Sequence, residues 1–148
     1  MSQHANSGPD EHASHPAATD RNPSSGTPQA TGVGIDLVDV SRIERALERR
    51  PRLASRLFTE RELEYAGTHR RPARHLAARF AAKEAVVKAL GLGPGTCLRE
   101  IEVIPGHPPQ VKLHAEVGRF AVDRNLAVKI SLTHERDMAG AVAVAGEA

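Results

Sequence analysis

From Gly32 onward the chain alternates. Val33, Ile35 and Leu37 are separated by Gly34, Asp36 and Val38, the period-two signature of a strand with one filled face. Asp36 therefore points away from the filled face and stands beside a glycine. Ser41 offers an N-cap to a helix that turns Ile43, Ala46 and Leu47 inward and leaves Arg42, Arg45 and Arg49 toward solvent, with Pro51 as its stop. Thr59-Glu-Arg-Glu62 has the form of a capping box, so a short helix is expected from Glu60 to about Ala66, ended by Gly67. The longest helical pattern runs from Pro72 to Leu90, with Leu76, Phe80, Val87 and Leu90 at helical spacing and Gly91 just past the end. Ala77, Ala78, Ala81, Ala82 and Ala85 keep that helix thin, so it can lie close against a sheet or another backbone.

The second half reads as strands near Ile101 to Ile104 and Gln110 to Leu113, a helix near Ala115 to Arg124, and strands at Leu126 to Thr133 and Ala139 to Ala145. His134 to Met138 would close the last two into a hairpin. In the penultimate strand Leu126, Val128, Ile130 and Leu132 alternate with Ala127, Lys129, Ser131 and Thr133, as in a half-buried strand. The order β-α-α-α-β-β-α-β-β, without internal repeats, predicts an α+β domain in which helices cover one side of a largely antiparallel sheet. Residues 1–31 hold no Val, Ile, Leu, Phe, Tyr or Trp, and cannot offset the entropy of ordering. They are expected to form a disordered tail, with the domain at 32–148. His4, His12 and His15 lack the rigid support that a metal site needs.

Composition narrows the class. A chain of 148 residues suits one domain, and with no Trp, one Tyr and three Phe its core must be built from Val, Ile, Leu and Ala. The single Cys97 excludes a disulfide scaffold, and no long apolar run or cleavable leader is evident, so a reducing, cytoplasmic setting is expected. Charge is uneven: Arg42 to Arg79 holds eleven arginines against five glutamates. Such a block attracts an acidic partner or a phosphorylated ligand, although a solvated basic face has the same composition.

Lys83, Glu84 and Lys88 interrupt an otherwise apolar helix, and Glu84 and Lys88 share a face. A surface ion pair worth a few tenths of a kcal/mol would account for the pair, but not for its setting. From Arg79 to Gly93 there is one acid among cations, with two glycines at the helix end. A lone carboxylate in such company suits a hard divalent ion beside phosphates, because magnesium takes one or two protein carboxylates and fills its shell with phosphate oxygens and water. Asp36 would be the second carboxylate.

Gly34-Ile-Asp36 with Arg42-Ile43, Phe58-Thr-Glu-Arg-Glu62, Arg79-Phe-Ala-Ala-Lys-Glu-Ala85 with Lys88 and Gly91, and Ser131-Leu-Thr-His134 follow one another along the chain. Together they resemble the successive signatures of holo-(acyl carrier protein) synthases over nearly all of Gly32 to Ala145. The resemblance implies the 4′-phosphopantetheinyl transferase fold with one long central helix. It also implies transfer of 4′-phosphopantetheine from coenzyme A to a serine of an apo acyl carrier protein, of fatty-acid or polyketide type. By the same resemblance Asp36 and Glu84 match magnesium ligands, and Lys88 matches a lysine near the phosphates. Glu84, or a metal-bound water that it orients, would remove the serine proton. Arg79, Lys83, Gly91 and Gly93 match a coenzyme A-binding stretch, and Arg42, Arg49 and Arg52 the surface that docks an acidic carrier protein. The family's trimers, with active sites between neighbours, are expected here too. One departure is Lys129, where the family commonly has histidine: it can meet a phosphate of the nucleotide but cannot stack as imidazole does. His134 is retained, and touches ligand or bonds locally.

Two other classes fit parts of the pattern. A catalytically silent carrier-protein-binding module of the same fold would have no reason to keep both Asp36 and Glu84. A basic nucleic-acid-binding domain would account for the arginines, but the chain lacks aromatic platforms and any recognisable binding motif. No nucleic acid or membrane partner is expected.

Overall fold

β1 (Ala30–Asp39) leads into four helices, α1 (Val40–Arg49), α2 (Pro51–Leu57), α3 (Glu60–Gly67) and α4 (Pro72–Leu90). A 3-10 turn at Leu98–Glu100 precedes the hairpin of β2 (Ile101–Ile104) and β3 (Gln110–Leu113); α5 (Ala115–Asp123) then leads to the long hairpin of β4 (Leu126–Glu135) and β5 (Met138–Glu147). This computed structural model describes residues 30–148. Of the expected tail, residues 1–31, residues 1–29 with His4, His12 and His15 lie outside the described residues, whereas Ala30 and Thr31 are already part of β1, where the Thr31 hydroxyl donates to the Ala145 carbonyl. All pairing is antiparallel, in a three-stranded sheet ordered β1-β5-β4 and a two-stranded sheet β2-β3, so the architecture is α+β.

Local chemistry explains where the elements begin. Asp39, not Ser41, caps α1: its carboxylate accepts from the Ser41 and Arg42 amides at 2.8 and 3.3 Å, and the Ser41 hydroxyl donates to the same oxygen at 2.6 Å. Pro51 ends one helix only to start the next, because at N1 its missing N–H removes a donor that would have had no partner in the helix. α2 is therefore an extra helix beyond the expected order. The Thr59–Glu62 capping box is formed in both directions, and α4 ends on Gly91 at φ 67°. β4 and β5 run closer to their turn than the sequence pattern predicts, since Glu135 pairs with Met138 and only Arg136 and Asp137 close the hairpin.

The contact between α4 and the sheet is made by the smallest side chains. Gly32 and Gly34 face the helix, and a Cβ on either would run into the backbone carbonyl of Ala89 or Ala85. Ala139, Ala141, Ala143 and Ala145 of β5 are buried on the same side, against Ala81, Ala82 and Ala85 in a common core. The filled stripe of β1 is consequently the outer one: Val33, Ile35 and Leu37 are 60 to 66% exposed. Val33 lies opposite Val144 and Ile35 opposite Val142 on this open face. Alternation distinguishes two faces of a strand but not which one is covered. Here the helix needs close backbone approach, and that selects the glycines.

Gly34→Ala should lower unfolding stability by about 3 kcal/mol, because the added methyl meets backbone rather than a yielding side chain. Urea unfolding measures this; an unchanged midpoint would mean that strand and helix are not held at this distance.

Candidate active site

The same face of β1 that carries Gly34 carries Asp36, so close approach of the helix brings this carboxylate to α4. Lys88 meets it there: Nζ donates to Asp36 Oδ1 at 3.0 Å and to the Ile35 carbonyl at 2.8 Å. Glu84 lies one turn earlier and, with Asp36, lines a cleft of about 350 Å³. Arg42 and Ile43 from α1, Leu53 and Leu57 from α2, and Phe80 contribute its other walls. A second cleft of about 560 Å³ shares Glu84, Leu53 and Leu57, and is closed by Arg56 and the Gly93–Leu98 loop. Glu84 thus stands between two clefts, one holding Asp36 and the other the loop.

The electrostatics of the pair follow from this placement. Burial pushes the Glu84 carboxyl above the usual carboxylate range, and the Asp36 charge raises it further, while Lys88 works in the opposite direction. Asp36 and Glu84 are the residues that could hold a cation. Among the described residues no group of three or more His, Cys, Asp or Glu could hold a metal by itself. Two facing carboxylates with room beside them suit magnesium completed by phosphate oxygens and water better than a caged structural ion.

The other residues singled out by sequence are distributed more widely. Gly93 lines the second cleft, and Gly91 turns the chain out of α4 toward it. Arg42, Arg49 and Arg52 are all exposed on α1 and α2, with Arg42 at the Asp36 cleft. Lys129 is exposed on the open sheet face, opposite Val144, and joins neither cleft. His134 is also exposed, and pairs in register with Ala139.

Arg79 and Lys83, matched to a coenzyme A-binding stretch, are buried and line neither cleft. Lys83 is 0% exposed, with Nζ 2.7 Å from Glu62 Oε2. Arg79 is 5% exposed, its guanidinium lying 4.2 Å over the Tyr65 ring and donating to the His75 carbonyl at 3.3 Å. Neither reaches the clefts as a ligand contact. The reason is helical spacing: residues 79 and 83 share one face and 84 and 88 the next, so a compact motif divides between the core and the site. A lysine among buried alanines was itself a sign of an internal partner. Sequence reading also missed Arg56, because it lies on the helix hidden behind Pro51.

Comparison with known proteins identifies the chain's relatives. The family profile of the 4′-phosphopantetheinyl transferase superfamily matches residues 32–143. The holo-[acyl-carrier-protein] synthase of Moorella thermoacetica is 44% identical over 115 residues, covering 75% of this chain and 90% of the relative. That of Streptomyces coelicolor is 44% identical over 117 residues, covering 77% and 95%. Among solved structures, the ACPS–CoA complex of Chronobacterium ammoniagenes superposes with a TM-score of 0.72 at 28% identity, over 81% of this chain and 99% of that one. The Helicobacter pylori holo-[acyl-carrier-protein] synthase in complex with coenzyme A gives 0.66 at 26% identity, over 76% and 98%.

Replacing Asp36 with Asn should move the Glu84 titration downward toward the ordinary carboxylate range without bringing it fully there, since burial remains. Carboxyl-carbon NMR of the metal-free protein reads the shift. An unmoved Glu84 would mean that the two carboxylates do not sense each other.

Proposed function

We infer the function from one premise: this chain belongs to the 4′-phosphopantetheinyl transferase superfamily. It acts as a holo-[acyl-carrier-protein] synthase, transferring the 4′-phosphopantetheine moiety of coenzyme A to a serine of an apo acyl carrier protein and releasing adenosine 3′,5′-bisphosphate. The observation that carries this reading is that Asp36 from a strand and Glu84 from a helix line one cleft, with Lys88 bonded to the Asp36 carboxylate.

The carrier serine attacks the pantetheine-side phosphorus of the diphosphate; a new P–O bond forms, and the bond to the nucleotide phosphate breaks. Glu84, or a metal-bound water that it would orient, is our assignment for the group that takes the serine proton. The Lys88 ammonium, held by Asp36 and the Ile35 carbonyl, is our assignment for the group that would stabilise charge on the phosphate oxygens. We propose magnesium, held by Asp36 and Glu84, as the cofactor; when bound it neutralises the diphosphate. Gly91 and Gly93 would shape the coenzyme A-binding loop, and Arg56 adds a cation to its cleft.

Two partner surfaces are proposed. Exposed Arg42, Arg49 and Arg52 would dock an acidic carrier protein, with long-range attraction raising the encounter rate. The open apolar face of β1 and β5 would be buried between copies in a trimer. Lys129, on that face and in neither cleft of its own chain, would then meet a phosphate of a neighbour's nucleotide. Among the described residues no helix is long and apolar enough to cross a membrane. Cys97 has no disulfide partner, in keeping with the reducing, cytoplasmic setting we propose.

Incubation with coenzyme A, magnesium and an apo carrier protein should add one phosphopantetheine to the carrier, read by mass spectrometry. Asp36→Ala and Glu84→Ala should each abolish the addition while keeping the far-UV circular dichroism of the parent. Full transfer by both variants would remove the carboxylate assignment.

A further inference from the structure

Lys83 adjoins Glu84 in sequence but is fully buried, and its ammonium has two partners. One is Glu62 Oε2 at 2.7 Å; the other is the Leu98 carbonyl at 3.1 Å. The Glu62 carboxylate does not depend on Lys83 alone. It also accepts from the Thr59 amide and the Val103 amide, each at 2.9 Å, so it joins the start of α3 to β2. The Leu98 carbonyl belongs to the far end of the Gly93–Leu98 loop, the wall that faces Glu84 across the second cleft.

Within the loop, bonding is local: the Thr96 amide and hydroxyl both donate to the Gly93 carbonyl, at 3.2 and 2.6 Å. Attachment to α4 occurs at the two ends. At the start, the Leu92 amide donates to the Val87 carbonyl at 2.9 Å, and at the end Lys83 takes the Leu98 carbonyl. One helix therefore carries Glu84 and both anchors of the wall opposite it. A buried ion pair adds little net stability over apolar residues of similar volume. The consequence of this one is geometric.

We propose that Lys83 is a positioning residue that holds the Gly93–Leu98 wall at its distance from Glu84 and thereby sets the affinity for coenzyme A, without touching it. This rests on the function inferred above and deepens it, replacing direct contact by Lys83 with an indirect role. A hydrogen bond from a charged donor is worth enough that its loss at the wall should weaken coenzyme A binding about tenfold.

The pair can be separated experimentally. In Glu62→Gln/Lys83→Met, the single carbonyl oxygen of glutamine can accept from the Thr59 amide and complete the capping box while the Val103 amide loses its acceptor, and methionine fills the lysine volume without charge. This variant should still unfold cooperatively, at a melting temperature lowered by the unpaired Val103 amide, and show an approximately tenfold higher coenzyme A Kd by calorimetry and a matching rise in KM, with KM for the carrier unchanged. Lys83→Met alone, in which Glu62 keeps its two amide donors, should lose the same affinity. Glu62→Gln alone retains the bond to Leu98 and should lose stability but bind coenzyme A like the parent. Parental coenzyme A affinity in a folded Lys83→Met variant, single or double, overturns the proposal, as does a Glu62→Gln loss equal to that of the double. If the parent binds coenzyme A but transfers nothing, the inferred reaction fails, while the Kd series still decides the role of Lys83.

Discussion

A strand and a helix meeting with no side chains between them is the constraint on which the rest of this structure depends. Gly32 and Gly34 sit against the carbonyls of Ala89 and Ala85 so closely that no Cβ could be added. Asp36, next on that face, therefore has to stand beside α4, and Lys88 takes it at 3.0 Å. The same contact turns Val33, Ile35 and Leu37 outward. The cleft lined by Asp36 and an open apolar face are thus two results of one packing choice, which ties the proposed chemistry to the proposed assembly.

Helix α4 carries two ammonium groups that do opposite things. Lys83 is sealed in the core, where burial pushes its pKa down and Glu62 works in the opposite direction. Lys88 is exposed, and its carboxylate partner Asp36 faces a cleft large enough to admit phosphate. Exchanging those environments would be costly: an unpaired charge at position 83 has no water to solvate it, and an internal pair at position 88 would offer nothing to a ligand. Five residues along one helix are enough to separate architecture from chemistry.

Much of this was legible in sequence where local physics decides. The Thr59–Glu62 box, the span of α4 with Gly91 at its end, and the β2 and β3 strands depend on near neighbours, and the folded chain has them as expected. The candidate pair Asp36 and Glu84 was also legible, as two acids in a basic region. Legibility failed where a choice needed a third element. Alternation in β1 could not say which face the helix would cover, Pro51 stops one helix and starts another with equal ease, and the Arg79 to Lys88 run looked like one surface although it wraps two faces of a helix. Glu62 was recognised for its cap and not for the buried lysine, because the second partner arrives from another helix.

The central proposal is that the glycine contact leaves β1 and β5 with an apolar face that further copies of the chain cover. Sedimentation velocity of the full chain tests it directly, with Ile35→Lys alongside. The account predicts a single species of three chains for the parent, and for Ile35→Lys a folded monomer with the parental circular dichroism. A parent that sediments as a monomer at all concentrations, with Val33, Ile35 and Leu37 left in water, would contradict it.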